Sequence, residues 1–485
     1  MDRRDFLRLS LASGAALGTT RAVAQAAPLR LTLRPDRPGN AIAADFTGLS
    51  YETAQLRNPH FFSGANTQLA GFIRRLGGSG VLRIGGNTSA YSAWTPDASE
   101  SVPPDEVSGP DTGRGAAPRR AVTPLAIRNL RDFLDAAGWR LIYGLNIGGE
   151  GPEVAADEAE YVMKTMGARL IAFQLGNEPD LFMRNGVRGP DYNFAQFASE
   201  WERYFKAVRA RLPSAPFAGP DNAFNNEWLV PFAQRFQKDV LFLTQHYYAE
   251  GPPNDPSMTI ERLLAPNPKL DDEFAGLRRT RQDTGLPFRM AETNSCYQGG
   301  KRGVSDTFAS ALWGADLMYR LAAAGGQGIN FHGGGYGWYT PIAGSPRNGF
   351  LARPLYYGML LFAEAGPGRL IGAEIDGAPP LLDAYGLQSA DGTLKAALFN
   401  KNPVRDAVLQ VDVGTAAAVS VLRLSAPRID DTTDTTLGGA PVGAGGAWSA
   451  AISETVPARS GVAMVALPKV SAALLTFDRQ SSGRA

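Results

Sequence analysis

The strongest constraint on this chain is a repeated change of hydrophobic period. Between residues 46 and 366, short apolar runs of strand character alternate with stretches whose apolar residues recur at helical spacing. The runs fall at 47–51, 80–84, 140–146, 170–175, 216–219, 240–247, 287–292 and 327–332; the helical stretches include 67–76, 125–137, 153–166, 193–211 and 306–323. Eight strands interleaved with helices predict an α/β fold, a (β/α)8 TIM barrel over residues 45–366. A doubly wound sheet also alternates, but no Gly-rich phosphate fingerprint follows an early strand here.

Beyond residue 366 the helical period stops, and short β-like segments separated by turns such as Asp391-Gly392 predict a C-terminal β-sandwich over 367–470. Residues 28–44 precede the barrel, and their early strand has no barrel partner, so they are expected to join the sandwich. Residues 471–485 read as a C-terminal tail, and 97–120, rich in Pro, Gly and Ser, as a long loop. At the other end, Arg3-Arg4-Asp5-Phe6-Leu7 precedes an apolar stretch too short to span a bilayer, followed by Ala22-Val23-Ala24. This resembles a bacterial twin-arginine export signal within residues 1–26, and it implies a periplasmic or secreted protein with no membrane anchor after cleavage.

Composition narrows the chemistry. The 485 residues carry 48 Lys+Arg against 47 Asp+Glu, a balance that gives no reason to expect nucleic acid as a partner. Three His and one Cys are too few for a zinc site of the usual kind, and one Cys forms no disulfide within the chain. No metal and no cofactor are expected.

Reactive groups of a TIM barrel sit at the C-terminal ends of its strands. The fourth run ends Gly176-Asn177-Glu178-Pro179 and the seventh ends Ala291-Glu292-Thr293-Asn294. Two glutamates at one mouth are the equipment of glycoside hydrolysis, which needs a proton donor and an ionised nucleophile or base. The sixth run ends Gln245-His246-Tyr247-Tyr248, the second Arg83-Ile84-Gly85-Gly86-Asn87, and the eighth Asn330-Phe331-His332-Gly333.

Asn177-Glu178 with Glu292 is similar to the clan A retaining glycosidases. Gln245-His246-Tyr247-Tyr248, the segment from Ala291 to Gly300, Ser305-Asp306-Thr307-Phe308-Ala309, Leu82-Arg83-Ile84-Gly85-Gly86-Asn87 and Gly48-Leu49-Ser50-Tyr51-Glu52 together resemble glycoside hydrolase family 79, which holds bacterial β-glucuronidases and heparanase. The resemblance implies Glu178 as general acid/base and Glu292 as nucleophile. It also implies Asn177 on the sugar 2-hydroxyl and Tyr248 donating to Glu292. For a uronate carboxylate it implies Tyr297, the backbone at Gly299 beside Gly300, and a second tyrosine after strand 8: Tyr339, or else Tyr336. Glu52 and Asn87 are expected to touch sugar hydroxyls, and His246 to be a hydrogen-bonding wall residue.

The expected activity is therefore exo-β-glucuronidase, releasing terminal glucuronic acid from a glycan or glycoconjugate by double displacement. Two alternatives stand beside it: an endo-β-glucuronidase of the heparanase kind, and a non-catalytic carbohydrate-binding protein on a lapsed barrel. Cys296 reads as a small buried thiol rather than a nucleophile activated by His246 or His332. Lys301-Arg302 either steers an anionic sugar or is a solvated pair, and Trp94 and Trp338 are candidate sugar-stacking platforms.

Overall fold

The computed structural model describes residues 27–97, 120–223 and 226–478. The expected leader (1–26) and nearly all of the expected loop 97–120 lie outside the described residues. Eight parallel strands close into a barrel. In chain order, barrel strands 1 to 8 are Thr47–Glu52, Val81–Gly85, Arg140–Leu145, Leu170–Leu175, Phe217–Asn222, Phe242–Glu250, Phe288–Cys296 and Ile329–Gly333. Closure comes from strand 8 pairing with strand 1, Ile329 opposite Thr47. The flanking helices carry their own boundaries. Thr123 accepts from the Ala126 N–H at the start of Pro124–Ala137, proline stands in its first turn, and Gly138 ends it in the left-handed region. Ile127, Leu130, Phe133 and Leu134 on one face of that helix are buried.

The second unit is one continuous ten-stranded sheet that curls over its own core, rather than two separate sheets. Its N-terminal strand, Leu29–Ile42, pairs antiparallel with Gly368–Ile375 and parallel with Ala407–Asp412. One expectation is corrected here. Ser471–Asp478, read as the start of a tail, is an inner strand between Leu394–Asn400 and Ala418–Ser425. Its apolar run does not alternate because both faces are covered. Ala473, Leu475 and Phe477 enter the sheet's core, while Ala472 and Leu474 join the core of the barrel. Residues 479–485 lie outside the described residues.

The sheet is locked to the barrel helix Phe308–Ala324. Tyr319 stacks on Tyr385 at 5.0 Å, and buried Lys401 meets Asp316 at 2.5 Å, the same carboxylate that accepts from the Tyr385 hydroxyl. Among the described residues no helix is long and apolar enough to cross a membrane.

One buried acid makes stability depend on pH. Glu158, on the helix Pro152–Met166, accepts from the Tyr143 hydroxyl at 2.6 Å, and burial pushes its carboxyl from the ordinary 4.5 up to about 8. A carboxyl raised in the folded state stabilises fully below pH 4.5 and loses that contribution as pH rises to about 8. Glu158→Gln is therefore expected to gain on the native protein across that window. Its Tm should match at pH 5 and exceed the native value by a few degrees (~2–4 °C) at pH 8. A difference independent of pH, read by thermal melts, would contradict this.

Candidate active site

Every barrel strand ends at the same mouth, and a cavity of about 760 Å³ opens there. Local backbone features aim the side chains into it. Strand 4 gives way to Gly176, and Glu178 takes a left-handed conformation (φ 47°) that a non-glycine residue adopts at a cost of ~1–2 kcal/mol. The Glu178 N–H donates to the Asp221 carbonyl at 2.8 Å, which holds that turn. Strand 7 shifts register on both sides between Met290 and its next paired residue, and strand 5 shifts between Pro220 and Asn222. Such bulges re-aim a side chain, here Glu292 and Asp221.

Beneath the two glutamates lies Arg83, fully buried in the middle of strand 2. Its guanidinium has five N–H donors, and the structure supplies five acceptors. Nε donates to Gln174 (3.0 Å), Nη1 to Ser50 (3.0 Å) and Glu292 (2.5 Å), and Nη2 to Asn177 (2.7 Å) and Asp221. His246 bridges the remaining acids: Nδ1 lies 3.1 Å from Glu178 Oε1 and Nε2 lies 3.0 Å from Asp221 Oδ1. Burial alone would discharge this imidazole, but Asp221 and Glu292 outweigh it and lift its pKa to about 10, so both ring nitrogens donate.

Glu292 shows the opposite balance. Burial pushes its pKa up, but His332 (3.6 Å), His246 (4.0 Å), Arg83 and the Tyr248 hydroxyl (2.7 Å) together hold it far below the usual carboxylate range. It is an ionised, oriented carboxylate. Oxygens of Glu178 and Glu292 lie within 4.8 Å of one another. Glu178, His246 and Glu292 are close enough to suggest a metal triad. However, both nitrogens of His246 already serve carboxylates, so a cation there would have to displace a proton from a charged ring.

The expected site residues converge. Glu52, Asn87, Asn177, Glu178, His246, Tyr248, Glu292, Tyr297, Gly299 and Tyr339 all line the cavity. Glu52 is held by the Thr88 N–H (2.8 Å) and hydroxyl (2.6 Å), and Asn87 accepts from Asn177 (3.2 Å). Tyr339 packs beside Tyr248, ring centroids 6.2 Å apart, and its N–H donates to the Gly299 carbonyl at 3.4 Å. Tyr336 is the correction: it is 39% exposed, bonded to Asn348, and off the cavity wall, so Tyr339 is the tyrosine of the strand 8 loop that enters. Gly300 also stands behind the wall. A Cβ there would lie 2.6 Å from the Tyr339 nitrogen, so glycine lets that loop close on Gly299.

Trp94 is buried away from the cavity and donates to Asp157 (2.7 Å), so it is no sugar platform. Trp338 stands on the rim. Cys296 is a buried thiol pushed up to about 11 by burial, and neither His246 nor His332, whose Nδ1 meets Ser50 at 3.0 Å, is bonded to it.

The residues missed from sequence are Arg83, Asp221, Gln174 and His332. Arg83 carried a visible signal, a cation in the apolar stretch Val81-Leu82-Arg83-Ile84, where a buried charge requires partners.

A closed (β/α)8 barrel with two buried glutamates converging at its C-terminal mouth defines the barrel glycosidase class. The comparisons carry this one step further. The family model for the glycosyl hydrolase family 79 N-terminal domain matches residues 126–318, so this part of the barrel is similar to that family's domain. It is 24% identical over 371 residues to a beta-glucuronidase of Aspergillus niger, covering 68% of this chain and 66% of that protein. A beta-glucuronidase of Neurospora crassa is 25% identical over 316 residues, covering 58% and 55%. The matches thus span two thirds or less of each relative's length. Among solved structures, a 4-O-α-L-rhamnosyl-β-D-glucuronidase from Fusarium oxysporum 12S superposes with a TM-score of 0.74 at 18% identity, covering 93% of this chain and all of that one.

Proposed function

We propose that the protein is a retaining β-glucuronidase that removes terminal β-linked glucuronic acid. The observation that carries the reading is the carboxylate pair: oxygens within 4.8 Å, one acid held ionised. Retaining enzymes separate their carboxyl groups by ~5–5.5 Å, and inverting enzymes by ~6.5–9.5 Å to leave room for water. In this reading Glu292 attacks the anomeric carbon while Glu178 protonates the leaving oxygen. Water, deprotonated by Glu178, then releases the sugar. Asn177, anchored by Arg83, takes the 2-hydroxyl. The uronate carboxylate is received by Tyr297, Tyr339 and the Gly299 amide.

The action is read as exo, on a glycan or glycoconjugate, and the Arg3-Arg4 leader supports export to the periplasm or medium. The test is hydrolysis of p-nitrophenyl β-D-glucuronide beside the β-glucoside and β-galactoside, with the product anomer read by NMR. Release from the glucuronide alone, first as the β-anomer, is expected. An α-anomer or equal rates on the glucoside would overturn the reading. With a glucuronosyl oligosaccharide, exo action yields free glucuronic acid, whereas internal cuts would indicate the endo alternative.

A further inference from the structure

Beside the cavity, the loop after strand 8 carries a second feature that the catalytic reading leaves unused. Trp338 is 40% exposed and Tyr336 is 39% exposed, although both lie on a loop pinned to the site by the Trp338 N–H donating to Gly299 O at 2.6 Å. Two guanidiniums lie over the Trp338 ring, Arg302 at 5.4 Å and Arg353 at 5.6 Å. Arg353 is also fixed by the Gly337 carbonyl (2.7 Å). Exposed Arg347 sits in the neighbouring turn, beside Asn348, which donates to the Tyr336 hydroxyl at 3.2 Å. Among the described residues, no carboxylate forms an ion pair with Arg302, Arg347 or Arg353. The acid that acts on Arg353, Asp306, is buried and accepts from the Gly303 N–H at 2.6 Å.

We propose that this rim of Tyr336, Trp338, Arg302, Arg347 and Arg353 is an anchoring site for an acidic glycan chain, outside the pocket that cuts it. The aromatic rings offer flat apolar faces for pyranose rings, and the guanidiniums of Arg302 and Arg353, held in place by the Trp338 ring and, for Arg353, by the Gly337 carbonyl, offer forked donors to carboxylates, with exposed Arg347 beside them. The Trp338 N–H bond to the carbonyl of Gly299, which lines the cavity, ties this surface to the cavity wall. The choice of an acidic glycan rests on the glucuronidase reading, but the site itself does not.

The test is direct binding of an α-linked oligogalacturonide to the full-length native enzyme, with a neutral maltooligosaccharide of equal length as control. The uronide offers carboxylates without a β-glucuronide bond to cut. Binding should favour the acidic chain at least tenfold and weaken with salt. Arg302→Glu, an exposed change, and the double variant Arg302→Glu/Trp338→Ala should each weaken it about tenfold or more, with kcat/KM on p-nitrophenyl β-D-glucuronide within twofold of native. Equal binding of the neutral chain, no binding of the acidic one, or unchanged binding by both variants would overturn the proposal. An enzyme that binds the chain through this rim but turns over no glucuronide would instead sink the glucuronidase reading alone.

Discussion

Glu292→Ala is expected to lower kcat on every glycoside by a factor on the order of 10⁴ or more, whatever the leaving group. The carboxylate is held ionised by His332, His246, Arg83 and the Tyr248 hydroxyl, the condition that a nucleophile needs. Glu178→Ala should behave differently. General-acid help is worth ~10²–10⁴-fold and is needed in proportion to the basicity of the departing oxygen. With a p-nitrophenyl leaving group the first step should survive within about tenfold of the native rate. With a sugar leaving group it should fall by about 10³-fold. Pre-steady-state bursts and a comparison of aryl and glycosyl substrates separate the two variants. Equal losses for the two substrates in Glu178→Ala would remove the acid role from Glu178.

The second large effect is expected at Arg83. Arg83→Met leaves the buried carboxylates of Asp221 and Glu292 without their strongest common partner. Breaking a buried pair in this way costs ~3–5 kcal/mol. The same change has a functional signature that a merely destabilised protein lacks. Arg83 is one of the groups that hold Glu292 below the usual carboxylate range, so its loss raises the Glu292 pKa. The acidic limb of the kcat/KM profile should then move to higher pH, while the variant is still folded at low temperature. Arg83→Lys keeps a charge but cannot fork to five acceptors, so it should recover part of the stability and less of the rate. An unmoved acidic limb in both variants would show that Arg83 does not set the nucleophile's charge.

The fold was readable because barrel periodicity is local. Each strand and helix announces itself within about a dozen residues, and all eight strand ends of a barrel point to one mouth. Thus the strand-end pattern alone puts Glu178 and Glu292, 114 positions apart in the sequence, at one mouth. The strand Ser471–Asp478 escaped because its pattern is apolar on both faces, and only the barrel beneath the sheet explains the second face.

The choice between Tyr336 and Tyr339 escaped for a related reason. The loop from Gly333 to Tyr339 has no period, and its course is set by the Trp338 N–H bond to Gly299, a residue far away in the chain.

Residue types and their strand-end positions, available from sequence alone, determined the barrel and the two carboxylates. What makes those carboxylates different from one another was decided only by tertiary structure. Arg83 meets Asp221 across 138 residues and Glu292 across 209, and His246 meets Glu178 across 68. Electrostatic balance in a buried site depends on distances of 3–4 Å between groups that chain order leaves far apart, and closing the barrel is what brings them that near.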